Sequence, residues 1–244
     1  MNKVHFTILR ASVRAMAAAG LMATAITGAA FAATYEDGLA AAERNDFAAA
    51  LRIFRPLAEQ GNGPAQMMLG SMYFAGKGVR KNDGEAMRWF RPAAEQGIGY
   101  AQYSVGLMYG NGMGVGRDYM EALKWHQLAV AQGAKESQYE LAVMYGAGQG
   151  VAQDYKEAMR LYRLAALQGL ARAQNNLGAL YIQGQGVAQD NVRAHMWFDL
   201  AATNGFANSS RNRDAAAGMM TAAEIAEAQA MAQRCRDSNY GQCE

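Results

Sequence analysis

Four loops of this sequence carry glycines in a pattern that could cradle a phosphate. They are Gly76/Gly78, Gly112/Gly114, Gly148/Gly150 and Gly184/Gly186, each followed by a valine (Val79, Val115, Val151, Val187). Glycine-rich loops hold phosphate when a strand leads in and a helix leads out, so that helix N–H groups face the anion. Here each loop follows a helical pattern, and no βαβ unit surrounds it. The run from Gly70 to Gly76-Lys77 also has one residue too many for a P-loop, and Gly78 stands where Ser or Thr would hold magnesium. Nucleotide chemistry is not expected, and no cofactor is called for.

The other reactive side chains point the same way. His126 occupies the repeat position held elsewhere by Phe54, Phe90, Tyr162 and Phe198, and His195 that of Met87 and Leu123. Neither has a metal-type spacing to Cys, His or an acid, so no metal site is assigned. The sequence contains no Ser-x-x-Lys motif. Cys235 has Cys243 eight residues on, which reads as a small disulfide rather than a nucleophile. Trp89, Trp125 and Trp197 sit at helical spacing beside alanines, as core residues do. Acids such as Glu85 and Glu121 fall at predicted helix starts, where they suit the helix dipole. No catalytic residue is assigned, and the chain is not expected to be an enzyme.

The elements that place these residues follow one period. Gly61, Gly97, Gly133, Gly169 and Gly205 lie 36 residues apart. So do Tyr73, Tyr109, Tyr145 and Tyr181, and the alanines Ala50, Ala86, Ala122, Ala158 and Ala194. A fixed period of this length marks a stack of helical units. Within each unit, apolar residues three and four apart predict a first helix over Pro64 to Tyr73, Tyr100 to Tyr109, Glu136 to Tyr145 and Arg172 to Tyr181. The glycine loop then lets the chain leave that helix tightly, because glycine tolerates positive φ. Asn82, Asp118, Asp154 and Asp190 stand where an N-cap belongs, opening a second helix that the 36-residue glycines close. Gly70, Gly106, Ala142 and Gly178 fall inside first helices, where a glycine costs about 1 kcal/mol. Close approach of a neighbouring helix, with an aromatic filling the gap, is the expected compensation. Stacked neighbours must then complete each other's core.

The ends depart from the pattern. Residues 34–61 form a unit with a short turn and no Gly-x-Gly loop. Residues 62–205 hold four full repeats. Residues 206–236 are read as C-terminal capping helices, the last opened by the capping box Thr221/Glu224, with 237–244 as a tail. Residues 1–32 read as a secretory leader: Lys3, Arg10 and Arg14, then an alanine-rich apolar stretch ending in Ala30-Phe31-Ala32. Cleavage is expected after Ala32, with Ala33 as the second choice. Of the 23 Lys and Arg, those three fall in the leader, leaving 20 against 21 acids. So balanced a chain lacks the electrostatic footprint of a nucleic-acid binder. No later stretch is apolar enough to span a bilayer. Export also suits a tail disulfide, since the destination is oxidising.

The segment Ala101-Gln-Tyr-Ser-Val-Gly-Leu-Met-Tyr-Gly-Asn-Gly-Met-Gly-Val115, with Asp118-Tyr-Met-Glu-Ala-Leu-Lys-Trp125 and Ala129-Val-Ala-Gln-Gly133, closely resembles the Sel1-like repeat, a relative of the tetratricopeptide repeat. The resemblance runs over roughly residues 35 to 236. It implies an all-α, right-handed α/α superhelical solenoid and a role in protein–protein contact, in bacteria often outside the cytoplasm. The opening unit has the shorter spacing of a tetratricopeptide repeat. In a two-helix solenoid the first helices line the concave side. One stripe there collects Met67, Ser71, Phe74, Tyr103, Leu107, Tyr139, Val143, Asn175, Ala179 and Ile182 as candidate partner-binding residues, with Tyr103 and Tyr139 the strongest. The expectation is a periplasmic, monomeric scaffold that binds a protein, secretion being the other possibility. A peptidoglycan or glycan binder and a cell-envelope hydrolase are the alternatives.

Overall fold

The computed structural model describes residues 33–243, and the expected leader lies outside them. Twelve helices and no strands occur among the described residues. They pair as five hairpins: α1 (Tyr35–Glu43) with α2 (Phe47–Glu59), α3 (Gly63–Ala75) with α4 (Asp83–Glu95), α5 (Gly99–Asn111) with α6 (Tyr119–Val130), α7 (Lys135–Ala147) with α8 (Tyr155–Leu167), and α9 (Ala171–Gln183) with α10 (Asn191–Thr203). Then come α11 (Ser209–Ala217) and α12 (Ala222–Asp237), both packed on α10. Each second helix also packs on the first helix of the next hairpin, so the stack is an all-α solenoid.

Local signals explain the boundaries. Asn82, Asp118, Asp154 and Asp190 each accept a hydrogen bond from a backbone N–H in the first turn of α4, α6, α8 and α10, at 2.8 to 3.1 Å. Caps of this kind are each worth about 1 kcal/mol. The first glycine of each loop, such as Gly76 at φ +67, turns the chain in the left-handed conformation and sends the next N–H back to Met72 O. The second glycine does a different job. A Cβ on Gly78 would lie 2.8 Å from Phe47 O, and one on Gly150 2.9 Å from Tyr119 O. Each second glycine therefore seats its loop on the start of the second helix one hairpin earlier. The opening hairpin turns instead through Arg44 to Asp46, with Asn45 at φ +62. Thr221 and Glu224 form the capping box that opens α12.

Within hairpins, small and large residues interlock. A Cβ on Gly70 would meet the Phe90 ring at 2.8 Å, and one on Gly178 the Phe198 ring at 2.8 Å. The opening unit repeats the device with Gly38 and Phe54. The helix-breaking cost of these glycines is offset by aromatic contact with the partner helix of the same hairpin.

A polar ladder runs through this stack. The buried Gln66 on α3 donates to Ala58 O of α2 at 3.1 Å and accepts from Gln96 Nε2 at 2.9 Å. Gln96, at the end of α4, also donates to Gly61 O at 3.2 Å. The next unit repeats this with Gln102, Ala94, Gln132 and Gly97. Gln138 accepts from Gln168, and Gln174 donates to Ala166 O and accepts from Asn204. The rungs at Gln66, Gln102 and Gln174 each tie three successive helices through a buried side chain that has both a donor and an acceptor satisfied.

The buried apolar residues form two groups, one from Ala41 to Trp125, the other from Ala122 to Cys243. His126 and Ser137, both buried, meet near this divide, with Nδ1 3.2 Å from Oγ. At the C-terminal end Asp199 of α10 accepts from Arg213 of α11 at 3.2 Å and Arg236 of α12 at 2.8 Å, binding the closing helices to the last hairpin.

Candidate partner-binding face

The stripe falls on α3, α5, α7 and α9, the first helices of the four full repeats. Successive first helices α5 and α7 touch, and Arg172 links α9 to α7. The stripe is not uniformly accessible. Met67 retains 3% of its surface and Tyr103 8%, so both belong chiefly to the packing. Ser71, Phe74, Leu107, Tyr139, Val143, Asn175, Ala179 and Ile182 are half-buried. Ser71 turns its hydroxyl back to Met67 O at 2.9 Å.

Aromatic rings run along the N-terminal half of this layer. Phe74 meets Phe90 with centroids 6.5 Å apart, Phe90 meets Tyr100 at 6.4 Å, Tyr100 meets Tyr103 at 6.1 Å, and Tyr103 meets His126 at 6.0 Å. These separations suit edge-to-face contact. Burial pushes the Tyr100 phenol up to about 12 and raises that of Tyr103, so both hydroxyls are neutral donors at physiological pH.

The C-terminal half is a polar cluster. The Arg172 guanidinium lies 4.2 Å from the centroid of the Tyr139 ring and 3.4 Å from Glu140 Oε1. Tyr139 in turn packs on Tyr162 at 5.6 Å, and Tyr162 accepts a hydrogen bond from Asn176 at 3.1 Å. Desolvation raises the Glu140 carboxyl, and Arg172 opposes that shift. Asn175 accepts from Ser209 and Asn212 of α11, each at 2.8 Å, which fixes its side chain. The result is a stacked cation, a carboxylate and amides held in place on a half-exposed surface.

Tyr100, Glu140, Tyr162, Arg172 and Asn176 are absent from the sequence-derived stripe. For Glu140 and Arg172 the signal is variability inside a strict repeat. Glu140 shares its position with Met68, Ser104 and Asn176, and Arg172 with Pro64, Tyr100 and Glu136.

The reactive residues lie apart from this cluster. His126 is 2% exposed, and burial lowers its pKa to about 4, so the ring is neutral. His195 is buried on α10, and its pKa is lowered by burial. Trp197 is wholly buried, and Trp125 is buried with its indole N–H donated to Glu121 at 3.2 Å. Trp89 is half-buried. Among the described residues no group of three His, Cys, Asp or Glu is placed to hold a metal ion, and no helix is long and apolar enough to cross a membrane. Cys235 and Cys243 lie at disulfide distance, with Cα atoms 4.3 Å apart.

The family model for the Sel1 repeat matches residues 26–62, 63–98, 99–133, 135–170 and 171–206. Comparison with curated proteins gives no match. Among solved structures, the chain is similar to a protective antigen present in uropathogenic Escherichia coli strains and displaying an SLR fold, at 32% identity and a TM-score of 0.78. That alignment covers 84% of this chain and 46% of the antigen, so this chain spans just under half of that relative. A Sel1 repeat protein from Oxalobacter formigenes aligns at 26% identity and a TM-score of 0.69, over 84% of this chain and 98% of its own.

Proposed function

This chain belongs to the Sel1 repeat family, whose members are generally scaffolds for protein–protein interaction, and we propose that it is an exported scaffold. It holds a segment of an envelope protein against the concave face made by α3, α5, α7 and α9. One observation carries this reading: Arg172 stacked on Tyr139 beside Glu140, with half-buried Leu107, Val143 and Ile182 on the same set of first helices. Aromatic and arginine anchors amid apolar surface are what the centre of a protein interface is made of. Export is supported by the basic, alanine-rich first 32 residues and by a cysteine pair placed for oxidation. The periplasm is the compartment that fits both, and the scaffold works as a monomer.

The test is crosslinked capture from the native envelope with the wild type and with Tyr139→Ala/Ala179→Arg. The first change removes the ring beneath Arg172, and the second blocks the face without emptying the core. Loss of the captured partner, with helicity and unfolding midpoint retained, supports the reading. An identical set of captured proteins from the folded variant overturns it.

A further inference from the structure

The last rung of the glutamine ladder is built differently, and the difference leads to the cysteines. In the first two full repeats the outer glutamine reaches back to a glycine carbonyl of the preceding hairpin: Gln96 to Gly61 O at 3.2 Å and Gln132 to Gly97 O at 3.0 Å. The fourth full repeat has Asn204 at this position, one methylene shorter. Asn204 donates to Gln174 Oε1 at 2.8 Å, as its counterparts do. Its second acceptor is the hydroxyl of Tyr240, at 2.7 Å. The Tyr240 ring lies over Gly169, the counterpart of Gly61 and Gly97, where an added Cβ would stand 3.5 Å from Cε2. A tail side chain thus supplies the acceptor that a glycine carbonyl supplies in the first two full repeats.

Tyr240 is presented by a loop that Cys235 and Cys243 close. Asn239 and Tyr240 both hold positive φ, +50 and +68, a conformation that residues with a Cβ rarely adopt. The loop is drawn in by Tyr240 N–H donating to Cys235 O at 2.8 Å and by Ser238 Oγ, which donates to Cys235 O and accepts from Gln242 N–H. Both cysteines are buried, at 0% and 4% exposure. Two successive left-handed residues need an external restraint, and a covalent link across the loop provides one.

We propose that the Cys235–Cys243 pair is a redox-operated latch: its disulfide holds Tyr240 on Asn204 and so completes the last rung, and its reduction releases the tail and loosens the final hairpin. Opening takes two electrons and two protons from a dithiol, which becomes a disulfide while Cys235 and Cys243 become thiols. The latch makes completion of the C-terminal end conditional on an oxidising compartment. It is independent of which partner the first-helix face binds.

Hydrogen exchange on the full protein tests this, with the thiol count fixed by alkylation before and after treatment with dithiothreitol. Reduction is expected to speed exchange of amides in α10 and α12 by about tenfold or more, with α3 to α6 unchanged. Tyr240→Phe, still oxidised, is expected to speed exchange near Asn204 alone. Two alkylatable thiols in the air-oxidised protein would overturn the latch. So would full reduction with α10 and α12 exchanging as before, or a Tyr240→Phe protein identical to the wild type.

Discussion

The imidazole of His126 lies against the backbone of Gly106, where a Cβ would come within 2.8 Å of Cε1 and 2.9 Å of both ring nitrogens. It occupies the seat that Phe90 takes on Gly70 and Phe198 on Gly178. Replacing Gly106 by alanine gains about 1 kcal/mol of helix propensity. The overpacking it forces costs about 1–3 kcal/mol. Gly106→Ala is therefore expected to lower stability by up to about 2 kcal/mol in urea unfolding. A variant more stable than the wild type would show that the ring can move aside.

His126 also predicts a pH dependence. Its folded pKa, about 4, lies below the unfolded value of 6.5. Between these values the unfolded chain takes up a proton that the folded chain refuses. Its stabilising contribution is therefore full above pH 6.5 and is lost as pH falls towards 4. The loss amounts to something on the order of 3 kcal/mol. His126→Phe is expected to remove this sensitivity between pH 7 and 5. Glu140, whose carboxyl is raised by burial, is present in both proteins and cancels from the comparison. The substitution leaves buried Ser137 without its partner, which sets a constant offset of about 1–3 kcal/mol.

Two glycines with similar φ should respond differently. Gly97 at φ +85 has open space where a Cβ would go, whereas at Gly114, φ +70, that Cβ would overlap the backbone of Asp83 and Gly84. Gly97→Ala should cost only the left-handed penalty, about 1–2 kcal/mol. Gly114→Ala should cost clearly more, because the α3–α4 and α5–α6 hairpins must separate locally. Thermal unfolding of the two variants measures the difference, and equal midpoints would contradict the close approach.

Removing a ladder rung should be felt on three helices. Gln102→Ala removes the bonds to Ala94 O and from the Gln132 amide. Ala94 O keeps the Gly97 N–H and the Gln132 amide keeps Gly97 O, so each loss is that of one hydrogen bond, about 0.5–1.5 kcal/mol. The expected destabilisation is about 1–3 kcal/mol by urea unfolding. A loss under about 0.5 kcal/mol would mean that the rung is dispensable.

The repeat, its two-helix unit and the Asn and Asp caps were all legible in the sequence. Each depends on residues close along the chain or on exact repetition, and local rules of capping and periodicity suffice for them. The glycine-against-aromatic seats were legible too, since a glycine inside a helix must be compensated. The ladder was not: Gln66 recurs in all four full repeats and Gln96 in three, with Asn204 in the fourth, yet nothing local says that their side chains meet.

The stripe of binding residues shows the same divide. A rule of solenoid geometry selected Met67 and Tyr103 by register, but each first helix is flanked by neighbouring helices, and these two side chains turn into the packing. Arg172 reaches Tyr139 and Glu140 across more than thirty residues of chain, and Tyr240 finds Asn204 only after the tail folds back. Periodic chemistry along the chain was enough to dictate a row of helical hairpins. Which side chains remain at the surface, and which distant polar groups satisfy one another, depends on how adjacent hairpins rotate together. Burial and hydrogen bonding are properties of that assembled stack, and no single repeat contains them.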